Sequence, residues 1–172
     1  RDPKVREIII YVLDRALFFF KKIFLKLIKR HQLWKTKVIT GQDWDKCELR
    51  KGKFIKSPKN RFYADPNLFT FKGKNYLFVE DCNISTDKAE IRCFEIKEKP
   101  FKANDLGIAI KEDFHLSFPF TFVYLDKLYM TVESGESGEI RIYSIKNDVL
   151  NWELINQSSL EGLPHPLDPV IF

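Results

Sequence analysis

Cysteine, histidine, methionine and glycine are all scarce in this chain of 172 residues: three, three, one and seven. Cys47, Cys82 and Cys93 form no C-x-x-C pair and no metal-ligand spacing. An odd count, with no signal peptide in view, fits a reducing, cytoplasmic setting better than a disulfide scaffold. The chain also has no Gly-rich phosphate loop, G-x-S-x-G elbow, H-E-x-x-H or P-loop, so nothing in it demands a cofactor or a metal. Long apolar runs are missing as well. In the amino-terminal segment the longest uncharged run is six residues, Ile8 to Leu13, against the roughly 20 needed to span a bilayer. The sequence opens on Arg1, so targeting signals upstream are not legible.

Aromatic residues, by contrast, are plentiful. Sixteen Phe, six Tyr and three Trp make up 15% of the chain, and such side chains favour pleated, half-buried surfaces. With 44% hydrophobic and 31% charged residues, neither a disordered tail nor an integral membrane bundle fits. Charge is divided unevenly. Residues 1–60 hold 17 Lys/Arg against 6 Asp/Glu, and residues 61–172 hold 12 against 18. A basic front of +11 and an acidic body of −6 point to separate structural units.

From Val5 to Arg30 there is no Gly or Pro, and apolar residues recur at helical spacing. One face carries Glu7, Asp14, Arg15, Lys22, Lys26 and Lys29; the other carries Ile9, Val12, Leu13, Leu17, Phe20, Ile23, Phe24 and Leu27. Two arrangements fit such a helix: packing on a neighbouring domain, or peripheral contact with an anionic membrane surface. Leu33–Ile39 alternates like a strand, Thr40–Asp43 reads as a turn, and Lys46–Lys59 reads as a linker with one more strand. Lys51, Lys53, Lys56 and Lys59 lack the interleaved aromatics of a nucleic-acid site, so a solvated edge is expected.

The body of the chain repeats itself. Asp65-Pro66-Asn67-Leu68-Phe69 returns as Asp168-Pro169-Val170-Ile171-Phe172, with Ser117-Phe118-Pro119-Phe120 between them, at steps of 52 and 51 residues. Tyr76–Glu80 parallels Tyr129–Glu133, and Glu90-Ile91-Arg92 parallels Glu139-Ile140-Arg141. Each unit reads as four antiparallel strands: Asn67–Phe71, Tyr76–Glu80, Glu90–Ile96 and Leu106–Lys111, then Phe118–Tyr124, Leu128–Glu133, Glu139–Ile145 and Trp152–Gln157. Four strands in about 50 residues is the period of a β-propeller blade. Two blades and the opening strand of a third do not close a ring, so a longer propeller is expected.

Four motifs carry a resemblance: Arg61-Phe62-Tyr63-Ala64-Asp65-Pro66, Tyr76-Leu77-Phe78-Val79-Glu80, His115-Leu116-Ser117-Phe118-Pro119-Phe120 and Tyr129-Met130-Thr131-Val132-Glu133-Ser134. Over residues 60–172 the chain resembles the amino-terminal propeller domain of glucosamine inositolphosphorylceramide glycosyltransferases. Bacterial relatives of that domain follow a formyltransferase-like domain. More distantly the pattern is similar to the five-bladed arabinanase, invertase and levansucrase superfamily. The resemblance implies a mainly β fold: a partial five-bladed propeller of two blades plus the first strand of a third, over residues 61–172. Residues 1–32 would then be an amphipathic helix ending an upstream, transferase-like domain, with residues 33–60 as lead-in.

In a propeller the innermost strands begin at one channel mouth, so Asp65, Ser117 and Asp168 should converge there. By resemblance, Asp65 matches the general base of glycoside hydrolysis and Asp168 the Asp that tunes the acid, the acid itself lying beyond Phe172. Asp-Pro capping a turn explains both residues equally well. His115, as a neutral imidazole, and Ser117 stand where sugar hydroxyls would bind. Tyr63 and Phe62 offer either a stacking face or core, and Arg61 a partner for Asp65 or an anionic substrate. Glu80 and Glu133, repeated at the ends of second strands, suggest structure. The expected role is recognition of a sugar or glycoconjugate in a carbohydrate-modifying protein. The alternatives are a glycoside hydrolase or transferase using Asp65 and Asp168, and a protein-binding scaffold. An acidic body suits neutral or cationic sugars better than nucleic acid.

Overall fold

The uninterrupted helical periodicity at the amino terminus produces α1, Val5–Leu27, in the computed structural model, which describes residues 5–27, 34–43, 45–159 and 168–170. The chain divides after residue 33 into two units. Helix α1 belongs to the first, and its apolar residues Ile9, Val12, Leu13, Leu17 and Phe20 are 53–69% exposed. Arg15 folds back along the helix onto the Tyr11 and Phe18 rings and pairs with Asp14. No helix among the described residues is long and apolar enough to cross a membrane.

The second unit is built from strands. Two short ones, β1 (Lys37–Val38) and β2 (Lys53–Phe54), pair with each other. The eight strands read from the repeat follow as β3 (Arg61–Phe71), β4 (Lys74–Asn83), β5 (Lys88–Lys97) and β6 (Lys102–Ile110), then β7 (Ser117–Tyr124), β8 (Lys127–Glu133), β9 (Glu139–Ile145) and β10 (Trp152–Ser159). Each set of four is one antiparallel sheet in simple up-and-down order, and β7 packs against β3 and β4. The first hairpin turns at Lys72 and Gly73, the second at Leu125 and Asp126, all four with positive φ. That is the turn geometry whose twist matches paired strands. Strand β6 starts earlier than its propensity suggests. Asn104, Asp105 and Gly107 are poor strand formers, and its ladder to β5 is broken by two irregularities.

Alternation along β4 explains where the core sits. Phe78 faces the second sheet, where it joins Ile91, Cys93, Leu116, Leu128, Met130 and Val132, all 0% exposed. Phe78 also meets Trp152 edge-on, with ring centroids 5.9 Å apart. Leu77 and Val79 face the other way and pack with Tyr63, Phe94, Ile96, Val38 and Ile55. Among the described residues of 34–60, Val38 and Ile55 therefore bury apolar side chains on the first sheet's outer face. Thr36 is buried beside them with its Oγ1 donating to the Tyr63 carbonyl at 2.9 Å, and Ile55 N–H donates to Thr36 C=O at 3.0 Å. Each such aliphatic side chain is worth about 1.5–3 kcal/mol of burial. Of the expected third-blade strand, Asp168–Val170 runs without strand pairing, and residues 171–172 lie outside the described set. Pro169 is buried, and its carbonyl accepts from Thr131 Oγ1 at 2.9 Å.

Candidate functional site

Two equivalent bulges create the site. On β3, Ala64 pairs with Glu80 and the ladder resumes at Asn67 with Phe78, leaving Asp65 and Pro66 opposite Val79 alone. On β7, Ser117 pairs with Glu133 and the ladder resumes at Phe120 with Thr131, leaving Phe118 and Pro119 as the extra pair. Proline has no N–H for the ladder, so it falls where pairing is broken. The residue before it adopts positive φ each time: 43° at Asp65, 45° at Phe118 and 45° at Asp168. This register shifts the sequence correspondence by one. Phe118, not Ser117, occupies the place of Asp65, and Ser117 occupies that of Ala64.

The bulges turn polar groups towards a common region. The Asp65 carboxylate accepts the Phe118 N–H and shares a hydrogen bond with the carboxyl of Glu80. Glu133 Oε2 accepts the Asp168 N–H at 3.3 Å, and the two side chains also share a hydrogen bond. Burial raises the Asp65 carboxyl above its ordinary range, helped by Glu80 and, more weakly, by Asp168. Glu133 is likewise raised, first by burial and then by Asp168 and Asp65.

His115 completes the cluster. Its Nε2 lies 3.3 Å from Glu80 Oε1 and its Nδ1 lies 3.0 Å from the carbonyl of Asp87. The hydrogen bond to Glu80 is the main cause of a pKa pushed up to about 9, so the ring is a cation at neutral pH rather than the neutral imidazole expected. Cys82, 1% exposed, follows Glu80 on the same face of β4, and burial pushes its thiol up to about 11. Glu80, Cys82 and His115 bring one ligand-type atom each within 4.8 Å of one another.

The pleat sends the other expected residues elsewhere. Arg61 and Tyr63 stand on the face of β3 that carries Leu77, Val79 and Asp81 on the neighbouring strand. Arg61 binds Asp81 and Glu90, the latter at 2.7 Å, and not Asp65. Asp81, 0% exposed, also takes Arg92 at 2.6 Å, so two guanidinium groups neutralise one buried carboxylate. Tyr63 is 3% exposed and packs edge-on against Phe94.

Residues 47–159 match the family described as glucosamine inositolphosphorylceramide transferase 1, N-terminal. The chain belongs to this family. Its match to the glucosamine inositolphosphorylceramide transferase 1 of Arabidopsis thaliana is 39% identical over 97 residues, covering 56% of this chain and 12% of that protein. The protein of the same name from Oryza sativa subsp. indica is 35% identical over 97 residues, covering 56% of this chain and 13% of its own length. The chain thus spans about an eighth of the curated relatives it matches. No solved structure matches it. The glucosamine inositolphosphorylceramide transferase 1 N-terminal region takes in Asp65, Glu80, Cys82, His115, Ser117 and Glu133, while Asp168 lies past its end. Within this family domain, sequence reasoning passed over Glu80 and Glu133 as site residues. The signal was present in the repetition of the two glutamates at the ends of corresponding strands, and the ladder pairs each with the residue just before a bulge, Ala64 for Glu80 and Ser117 for Glu133.

Proposed function

We propose that this chain is a sugar- or glycoconjugate-recognising part of a carbohydrate-modifying transferase, folded as the opening blades of a five-bladed, glycosidase-like propeller. In this reading residues 61–172 are propeller, 33–60 its lead-in, and 1–32 a helix that docks on, or trails from, a linked transferase domain. What supports it is the convergence of Asp65, on the β3 bulge, with Glu80 and Glu133 on the strands paired beside the two bulges and with Asp168 on the returning segment. Carboxylates in that arrangement accept hydrogen bonds from sugar hydroxyls and attract an ammonium group. The relatives carry glucosamine in their names, and an amino sugar is the ligand such a cluster suits.

Titration of the full-length protein with glucosamine and with N-acetylglucosamine, followed by calorimetry, tests the reading. Glucosamine should bind more tightly, and Asp65→Asn should weaken it by roughly tenfold, the worth of one charge-assisted hydrogen bond. Equal or absent binding of both sugars would sink the proposal. The raised Asp65 carboxyl favours a second reading, acid–base catalysis of glycosyl transfer or hydrolysis. Loss of turnover in Asp65→Asn with sugar affinity retained would support that one. For the helix, flotation with anionic vesicles separates membrane contact from docking on a domain.

A further inference from the structure

We propose that Glu80, Cys82 and His115 form a zinc-binding site on the first sheet, sharing Glu80 with the carboxylate cluster of the sugar reading but resting on its own geometry. Three features of the fold assemble it. Glu80 and Cys82 are two apart on β4, so the pleat places both side chains on the same face. His115 comes from the segment entering β7, and that segment is pinned where it is needed. Leu116 N–H donates to the carbonyl of Ala89 at 3.0 Å, and Ala89 is the ladder partner of Cys82. The His115 Nδ1 then faces the Asp87 carbonyl at 3.0 Å, which fixes its N–H there and points Nε2 at the other two residues. Anchoring the far ring nitrogen on a carbonyl is how metal-binding histidines are oriented.

The spacing fits a tetrahedral ion. Nitrogen and oxygen ligands at about 2.0–2.2 Å from zinc sit roughly 3.4 Å from each other. The His115 Nε2 to Glu80 Oε1 distance is 3.3 Å. All three ligand atoms fall within 4.8 Å of one another, and side-chain rotation would be needed to bring the sulfur onto the same centre. The donor set decides the metal. A thiolate and an imidazole beside one carboxylate suit zinc, whereas calcium and magnesium take oxygen ligands alone. Zinc binding releases two protons to solvent, one from the Cys82 thiol and one from the His115 Nε2, so affinity for the ion should rise with pH. Three protein ligands leave one position for water or for Asp65, which already hydrogen-bonds Glu80.

Metal-stripped full-length protein, dialysed against zinc and then against cobalt, reports the site directly. One zinc per chain should be retained, and cobalt should give a thiolate-to-metal charge-transfer band. Cys47→Ser should leave that band unchanged, and Cys82→Ser should abolish it. His115→Gln and Glu80→Gln should each weaken zinc binding more than about tenfold, since even groups behind the ligands are worth that much. Circular dichroism of each variant separates loss of metal from loss of fold. If Cys82→Ser does not fold, the cobalt spectrum of the unmodified protein decides alone. No charge-transfer band there, or equal zinc affinity in His115→Gln, would leave only a salt bridge between His115 and Glu80 and overturn the assignment.

Discussion

At the residue scale, the fold pushes the Glu133 carboxyl towards its protonated form. Its folded pKa lies above the ordinary 4.5 because burial and the nearby Asp168 and Asp65 disfavour its charge. Its contribution to stability is therefore fullest below that ordinary value and is lost as pH rises through the folded one. Glu133→Gln keeps an oxygen for the Asp168 N–H and removes the charge. We expect this variant to melt a few degrees higher at pH 7, with a shallower decline in melting temperature above pH 4.5. An unchanged pH profile would show that the neighbouring carboxyls do not act on Glu133. The residue scale is also where sequence reasoning was least complete. Asp65, Asp168 and His115, expected at the channel mouth from motif and repeat, each meet Glu80 or Glu133. Arg61 and Tyr63 came from the same motif, yet alternation along β3 places them opposite Asp81 and against Phe94. A linear motif does not reveal that a bulge between Tyr63 and Asn67 separates its faces.

At the element scale, the two hairpin turns share one geometry with unequal chemistry. Lys72-Gly73 supplies a glycine at one of its two positive-φ positions, while Leu125-Asp126 has none. Leu125, at φ 48° and 81% exposed, carries both a left-handed backbone and an apolar side chain in water. A leucine there costs roughly 1–2 kcal/mol relative to a residue that tolerates the conformation. Leu125→Asn should raise the free energy of urea unfolding by about 1 kcal/mol. A loss of stability would mean that Leu125 makes a contact the hairpin needs. The eight main strands were readable because aromatic and β-branched residues alternate between turn signals. Strand β6 was read short because Asn104, Asp105 and Gly107 are held in it by pairing to β5 rather than by their own preference.

At the scale of the whole molecule, the first sheet is covered on both faces, and residues 34–60 belong to that cover. Ile55 is 7% exposed and packs with Val38, Tyr63, Leu77 and Val79. Ile55→Ala should cost about 2–4 kcal/mol in urea unfolding, as for other core truncations. A cost below about 1 kcal/mol would return the segment to the status of a surface linker. The sequence by itself determined the helix at the amino terminus and the two four-stranded units, because hydrophobic periodicity and turn chemistry are local, while the bulges that set the correspondence between the units were not legible. The family membership was legible for a similar reason, since its motifs are short runs around the bulges. Tertiary structure alone decided which polar groups share space. Glu80, Cys82 and His115 meet because the backbone before β7 is hydrogen-bonded to β5. Likewise Glu133 meets Asp168 only through the return of a distant segment. Those pairings depend on how one sheet lies against the next, and no local pattern encodes that distance.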